Sequence, residues 1–155
     1  MSKLPENFKF MDPFHSNRED EYFLLRWEVL RKPWNQPKGT ERDELEQKSL
    51  HRMIVGADEV IVATGRLQLN EPTVAQIRYM AVHEQFRGLQ LGKAMMEELE
   101  SLALDAGAEK VILQARENAL QFYESCGYEI VMETFLLYES IQHYLMEKIL
   151  VKIPE

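Results

Sequence analysis

Apolar positions first recur at a helical interval. Between residues 17 and 32, Tyr22, Leu25 and Val29 share a face that Trp27 and Leu30 flank, the first turn is acidic, and Arg31 and Lys32 precede Pro33. This spacing predicts an amphipathic helix capped at Ser16 or Asn17, with both ends matched to its macrodipole. Breakers then run from Pro33 to Thr40, a loop in which Trp34 is either a substrate wall or a plug over the core. Glu41 to Lys48 reads as a short charged helix capped by Thr40 or Asp43.

From His51 the period shortens. Met53 to Val55 and Val60 to Leu69 are strand-like runs joined at Gly56-Ala57-Asp58-Glu59, which predicts an antiparallel hairpin. Val74 to Val82 is a third strand after the turn Asn70-Glu71-Pro72. Helical spacing returns with Leu91, Ala94, Met95, Leu99, Leu102 and Ala106, with Glu97, Glu98 and Glu100 off that face and Gly107 as the stop. Val111-Ile112-Leu113 is wholly apolar, the pattern of a central strand buried on both faces. A short helix over 118–125 stops at Gly127, and Tyr128 to Val131 and Gln142 to Val151 are the closing strands, separated by a polar, acid-containing connection. The order is helices, an antiparallel meander, a β-α-β crossover, a helix and two strands: an α+β domain over 1–155 with a mixed sheet and helices on both faces.

Composition narrows the setting. A chain of 155 residues can bury a substantial core without disulfides or a structural metal. A net charge of -8 argues against a nucleic-acid-binding surface, which needs a basic stripe, and suits a cationic substrate. No apolar run reaches the length of a membrane span, and Met1 to Asn7 lacks the apolar core of a secretory signal, so a cytoplasmic protein that engages no membrane is expected. One cysteine, Cys126, leaves no internal disulfide and no cysteine metal cluster.

The chemistry centres on Gln76 to Lys93. A strand, a turn containing Arg87, Gly88 and Gly92, and then strong helix formers put backbone N–H groups at a helix N-terminus, a seat for a pyrophosphate. Taken alone, Gly88-x-x-x-Gly92 is more often a turn whose glycines serve geometry only.

Two ordered motifs resemble the GNAT superfamily of acyl-CoA-dependent N-acetyltransferases. Arg87-Gly88-Leu89-Gln90-Leu91-Gly92 is similar to the family's pyrophosphate motif, except that Gln90 stands where the central glycine is usual. Asn118-Ala119-Leu120-Gln121-Phe122-Tyr123-Glu124-Ser125-Cys126-Gly127-Tyr128 resembles the family's second motif, on the far side of the predicted helix and strand. Gln114-Ala115 and Gln142 to Lys148 further resemble the ElaA-like branch.

The resemblance implies that acetyl-CoA, as co-substrate and without a metal, lies in a splayed cleft beside the strand ending at Val82. Backbone groups of Met80, Ala81 and Val82 would meet the pantetheine and thioester, and Arg87, Gly88, Leu89, Gln90, Leu91, Gly92 and Lys93 would surround the pyrophosphate. Asn118 and Phe122 would also contact the cofactor, and Tyr123 would protonate the departing thiolate. Transfer would go directly to a primary amine of a small molecule or peptide. Such an amine, with a pKa near 10.4, is neutral only about one part in 2,500 at neutral pH, so a base is needed. Glu71, Glu84, Glu133, His51, His83 and His143 are the candidates. Two other readings stay open: a non-catalytic acyl-CoA sensor or scaffold, and an unrelated α/β domain holding a nucleotide phosphate. The closing strands are the place where a homodimer would form.

Overall fold

Strand and helix periods are realised as ten elements, seen in a computed structural model that describes residues 4–151. In chain order they are β1 (Lys9–Met11), α1 (Glu19–Leu30), β2 (Leu50–Val55), β3 (Ile61–Glu71), β4 (Val74–Val82), α2 (Leu91–Asp105), β5 (Lys110–Arg116), α3 (Leu120–Ser125), β6 (Glu129–Leu137) and β7 (Ile141–Ile149). The strands form one 7-stranded sheet in the order β1-β2-β3-β4-β5-β7-β6. Only β4 and β5 pair in parallel, through the α2 crossover. Strand β1 is too short to show a period, and the sequence pattern does not reveal it.

Alternation along the strands feeds a core on each face. Met53 and Val55 of β2 pack with Tyr22, Phe23 and Leu25 of α1. Ile54, between them, faces the opposite way and joins Leu67, Ile77, Leu91, Met95, Met96, Leu99 and Val111 around α2. Helix α2 lies so close to β3 that a Cβ on Gly65 would come within 2.8 Å of Leu99 Cδ1. The face of α2 is rotated from the expected one: Ala106 is exposed, whereas Met96, Ala103 and Glu100 are buried. Glu100 is tolerated there because Tyr128 Oη (2.8 Å) and Lys148 Nζ (2.9 Å) donate to its carboxylate.

Three other expectations are corrected. Glu41 to Lys48 is not an α-helix; only a single turn of 3-10 helix forms, at Glu46–Lys48. Glu41, Asp43 and Glu46 face inward while Glu44 is exposed, and two of the inward acids take backbone donors, Leu45 N–H to Asp43 (2.8 Å) and Asp43 N–H to Glu46 (3.0 Å), in place of helical bonding. Strand β5 is closed on one face only: Val111, Leu113 and Ala115 are buried, while Ile112, Gln114 and Arg116 are half-buried. Strand β6 runs on to Leu137, well past the expected end at Val131, and Tyr138 and Glu139, both left-handed, turn it tightly into β7, where a polar connection was expected. Strand β6 lies at the sheet edge with nearly every residue exposed, so burial imposes no alternation on it.

The inward acids complete a buried ionic cluster. Arg26 and Arg66 are both 0% exposed. Glu46 accepts from Arg26 (2.9 Å) and Arg66 (2.8 Å), and Asp43 accepts from Arg66 (2.7 and 3.0 Å) and Arg78 (3.2 Å). Arg66 also donates to Gln68. The Tyr79 ring lies among these cations, 4.3 Å from the Arg26 guanidinium, 4.9 Å from that of Arg66 and 4.7 Å from that of Arg78. His51 sits at the far side with Nε2 donating to the Glu46 carbonyl (2.6 Å) and Nδ1 facing Tyr22 Oη (2.8 Å). Burial holds its pKa below the usual imidazole value.

Candidate active site

Two irregularities of β4 open the site. The strand pairs with β5 only from Val74 to Gln76, opposite Lys110 to Ile112, and beyond that point the two diverge. On its other side the register with β3 slips between Thr64/Ala81 and Arg66/Arg78, giving β4 one extra residue. Tyr79 occupies that bulge at φ 57°, a left-handed conformation that costs about 1 to 3 kcal/mol for a non-glycine residue. The cation cage around its ring is the surrounding structure that holds it there. The bend leaves main-chain groups of Met80 to Val82 facing an open cleft rather than a strand.

That cleft, about 380 Å³, is lined by Met80, Ala81, Val82, Phe86, Arg87, Gly88, Gln90, Leu91, Gly92, Lys93, Phe122 and Tyr123. Of the residues singled out in the sequence, Leu89 and Asn118 are exposed and do not line it. Gly88 adopts φ 85° and Gln90 φ 63°, so the turn needs left-handed backbone at both positions. Gly92 serves a different purpose: a Cβ there would lie 3.1 Å from Phe122 Cζ, so its smallness seats the Phe122 ring over the first turn of α2. From Gly88 to Lys93 no N–H has a backbone acceptor among the described residues. Neither Arg87 nor Lys93 forms an ion pair with any described residue. Free donors, the α2 N-terminus and two unpaired cations fit a pyrophosphate.

A second cleft of about 620 Å³ continues from the first and shares Met80, Ala81, Val82, Arg87 and Tyr123 with it. Tyr123, supplied by α3, therefore stands where the two meet. Burial, with a smaller contribution from Cys126, pushes its pKa up to about 12 despite the opposing charge of Arg116. Cys126 is a half-buried free thiol, itself shifted upward by burial.

Among the proposed bases, only His143 lines this space. It faces Arg116 across the β5–β7 register and stacks on Phe135, ring centroids 4.4 Å apart. Its Nδ1 meets the Ile141 carbonyl at 3.0 Å, which fixes the proton on Nδ1 and leaves the Nε2 lone pair free. Burial lowers its pKa, a hydrogen bond to the Ile141 carbonyl opposes this, and the charges of Arg116 and Arg31 add to the lowering. His51 belongs to the ionic cluster, His83 accepts the Gln85 N–H (3.1 Å), and Glu71, Glu84 and Glu133 are exposed away from both clefts. Sequence reasoning missed Arg31, Arg78 and Arg116, which also line the second cleft. They come from the C-cap of α1, from β4 and from β5, and nothing in the sequence links them.

A splayed β4–β5 pair, a donor-rich turn opening α2 and a tyrosine at the junction of two clefts are the arrangement that the resemblance to acyl-CoA-dependent transferases implies. The sequence matches the acetyltransferase (GNAT) family over residues 17–128, and the chain belongs to that family. It is 34% identical over 126 residues to the uncharacterized N-acetyltransferase YjcF of Bacillus subtilis (strain 168), covering 81% of this chain and 89% of that one. The fold is shared with an aminoglycoside 6'-N-acetyltransferase complexed with coenzyme A (TM-score 0.77, 14% identity, covering 96% of this chain and 99% of that one). It is also shared with Escherichia coli ElaA (TM-score 0.75, 20% identity, 91% and 97% covered).

Proposed function

We propose that the protein moves the acetyl group of acetyl-CoA directly to a primary amine, with Tyr123 as general acid and His143 as general base. The observation that carries this reading is the position of Tyr123 at the meeting of the two clefts, one with unpartnered N–H donors and the other with His143. The amine nitrogen attacks the thioester carbon while its proton passes to His143 Nε2, directly or through water. As the C–N bond forms and the C–S bond breaks, the thiolate takes the Tyr123 proton. Main-chain N–H groups in the bent segment Met80 to Val82 would stabilise the charge that grows on the thioester oxygen. Of the other contacts proposed from sequence, Leu89 would act through its main-chain N–H, whereas Asn118 would require its exposed side chain to reach the bound cofactor.

The energetics constrain the acid. A thiol near 8.5 and a tyrosine near 10 differ by about 2 kcal/mol in proton affinity, but at about 12 the gap widens to about 5 kcal/mol. The thiolate forms in the same desolvated space, so its own proton affinity rises and narrows the gap. With burial shifting the Cys126 thiol upward, direct transfer is favoured over a covalent enzyme intermediate.

No described helix is long and apolar enough to cross a membrane. A reduced, cytoplasmic setting suits the single free cysteine. A homodimer is part of the same proposal: edge strand β6 exposes Ile130, Val131, Met132, Phe135 and Leu136, which a second copy would cover.

Thiol release from acetyl-CoA across an amine panel tests the reading, with isothermal titration of CoA beside it. Amine-dependent release supports it. Tight CoA binding without transfer to any amine would leave a sensor or scaffold instead.

A further inference from the structure

The second cleft carries a charge opposite to that of the molecule. The protein has 26 acidic and 18 basic residues, yet Arg31, Arg78, Arg87 and Arg116 line this space and no aspartate or glutamate does. Arg78 is committed to Asp43 (3.2 Å), and Arg87 belongs to the glycine turn. Arg31 and Arg116 are different. They come from separate elements, and both donate to the Leu30 carbonyl, at 3.2 and 3.3 Å. Neither has a carboxylate partner among the described residues. Arg31 Nε also donates to the Thr40 carbonyl (3.0 Å).

Capping α1 explains part of this arrangement, since the last carbonyls of a helix attract cations. It does not explain all of it. One carbonyl cannot neutralise two guanidiniums, each with five N–H donors in a planar fork. None of the remaining donors of Arg31 and Arg116 is buried without a partner, and both residues line the open cleft, with the Arg116 guanidinium also 6.0 Å from the Trp34 ring. Two unpaired guanidiniums held together in a concavity are a ready seat for an oxyanion, which each can bind through two parallel hydrogen bonds.

Resting on the acetyltransfer reading above, we propose that the acceptor is a small amine that carries its own anion, a carboxylate or a phosphate monoester. The anion binds between Arg31 and Arg116, and the amine points toward Tyr123 and His143. This reverses the expectation drawn from net charge. A global excess of acid describes the surface, whereas the cleft selects by its own lining.

The test compares matched amines in the thiol-release assay: ethanolamine, O-phosphoethanolamine, β-alanine and 1,3-diaminopropane. Charge-assisted hydrogen bonds to guanidinium predict about a ten- to hundredfold higher kcat/KM for a phosphate- or carboxylate-bearing amine than for ethanolamine, and the two anionic probes distinguish the oxyanions. Arg116→Gln and Arg31→Gln, each checked for an unchanged melting temperature, should collapse that ratio toward one while the KM for acetyl-CoA holds. Isothermal titration of the same amines into CoA-saturated protein reads the site without turnover. Anion-dependent binding without acetyl transfer would support the anion seat and defeat the acetyltransfer reading. Equal use of neutral and anionic amines, a preference for the diamine, or selectivity that survives both variants would overturn the proposal.

Discussion

Phe122 lies over Gly92 so closely that a Cβ on residue 92 would meet its ring at 3.1 and 3.3 Å. The contact joins α3 to the first turn of α2 and closes one wall of the smaller cleft. Gly92→Ala should gain up to about 1 kcal/mol of helix propensity and lose a similar amount in displacing the ring, so stability stays within about 1 kcal/mol of the parent. The KM for acetyl-CoA should rise several-fold because the wall moves. Urea unfolding and steady-state kinetics on one preparation separate the two effects, and a KM that stays put would remove Phe122 from the cofactor site.

Tyr123→Phe keeps the ring and removes only the proton. General-acid catalysis supplies about 10²- to 10⁴-fold, so kcat should fall within that range while CoA affinity is retained. Full turnover by this variant would reduce Tyr123 to a packing residue.

The neutral state of His143 sets a pH signature. Its pKa lies below the usual imidazole value because of burial, reinforced by Arg116 and Arg31. The acid limb of kcat/KM should therefore fall below about pH 6.5, and His143→Gln should abolish that limb as well as lower the rate. The same shift acts on stability. His143 and His51 both have depressed folded-state pKa values, so the stability gained from keeping them neutral is present above about pH 6.5. It declines as pH falls from there through the folded-state values, and melting temperatures across that range measure the decline.

Glu46 bridges Arg26 and Arg66 inside the cation cage around Tyr79. Glu46→Gln leaves two buried guanidiniums short of charge and should destabilise by about 3 to 5 kcal/mol, measured by urea unfolding. Arg66→Lys, which keeps the charge but loses the fork, should relax the Tyr79 bulge and weaken acetyl-CoA binding before the fold is lost. Asp43 carries a separate pH term. Burial pushes its carboxyl up, but Arg66, the Leu45 N–H and Arg78 pull it further down, to a net value below the usual range. Its contribution is present above about pH 4 and disappears as pH falls through the folded-state value.

Gln90 holds a left-handed conformation at φ 63° and its side chain makes no capping bond. Gln90→Gly should raise stability by about 0.5 to 1 kcal/mol by removing that strain. If its amide donates to a phosphate oxygen, both Gln90→Gly and Gln90→Ala should weaken CoA binding, and undiminished affinity in Gln90→Ala would eliminate the contact.

The sequence by itself determined helices α1, α2 and α3, the meander, the β-α-β crossover and the two family motifs. Each is a local record: a period imposed by one buried face, or a short run of residues that a strand-turn-helix must contain. It also singled out Tyr123, which stands where the two clefts meet, and, among six candidate bases, His143, which lines the second cleft. Tertiary structure alone decided the rest. Asp43 and Glu46 look solvent-exposed in sequence, but Asp43 binds Arg66 and Glu46 binds both Arg26 and Arg66, because buried charges are satisfied by partners far along the chain. The bulge at Tyr79 has no sequence signal, since it exists only as a register difference between β3 and β4. The convergence of Arg31 from the end of α1 with Arg116 from the end of β5 is of the same kind. Those two residues lie far apart in the chain and meet only because the sheet brings β5 beneath the C-terminus of α1, so the charge of the second cleft could not be read from the charge of the chain.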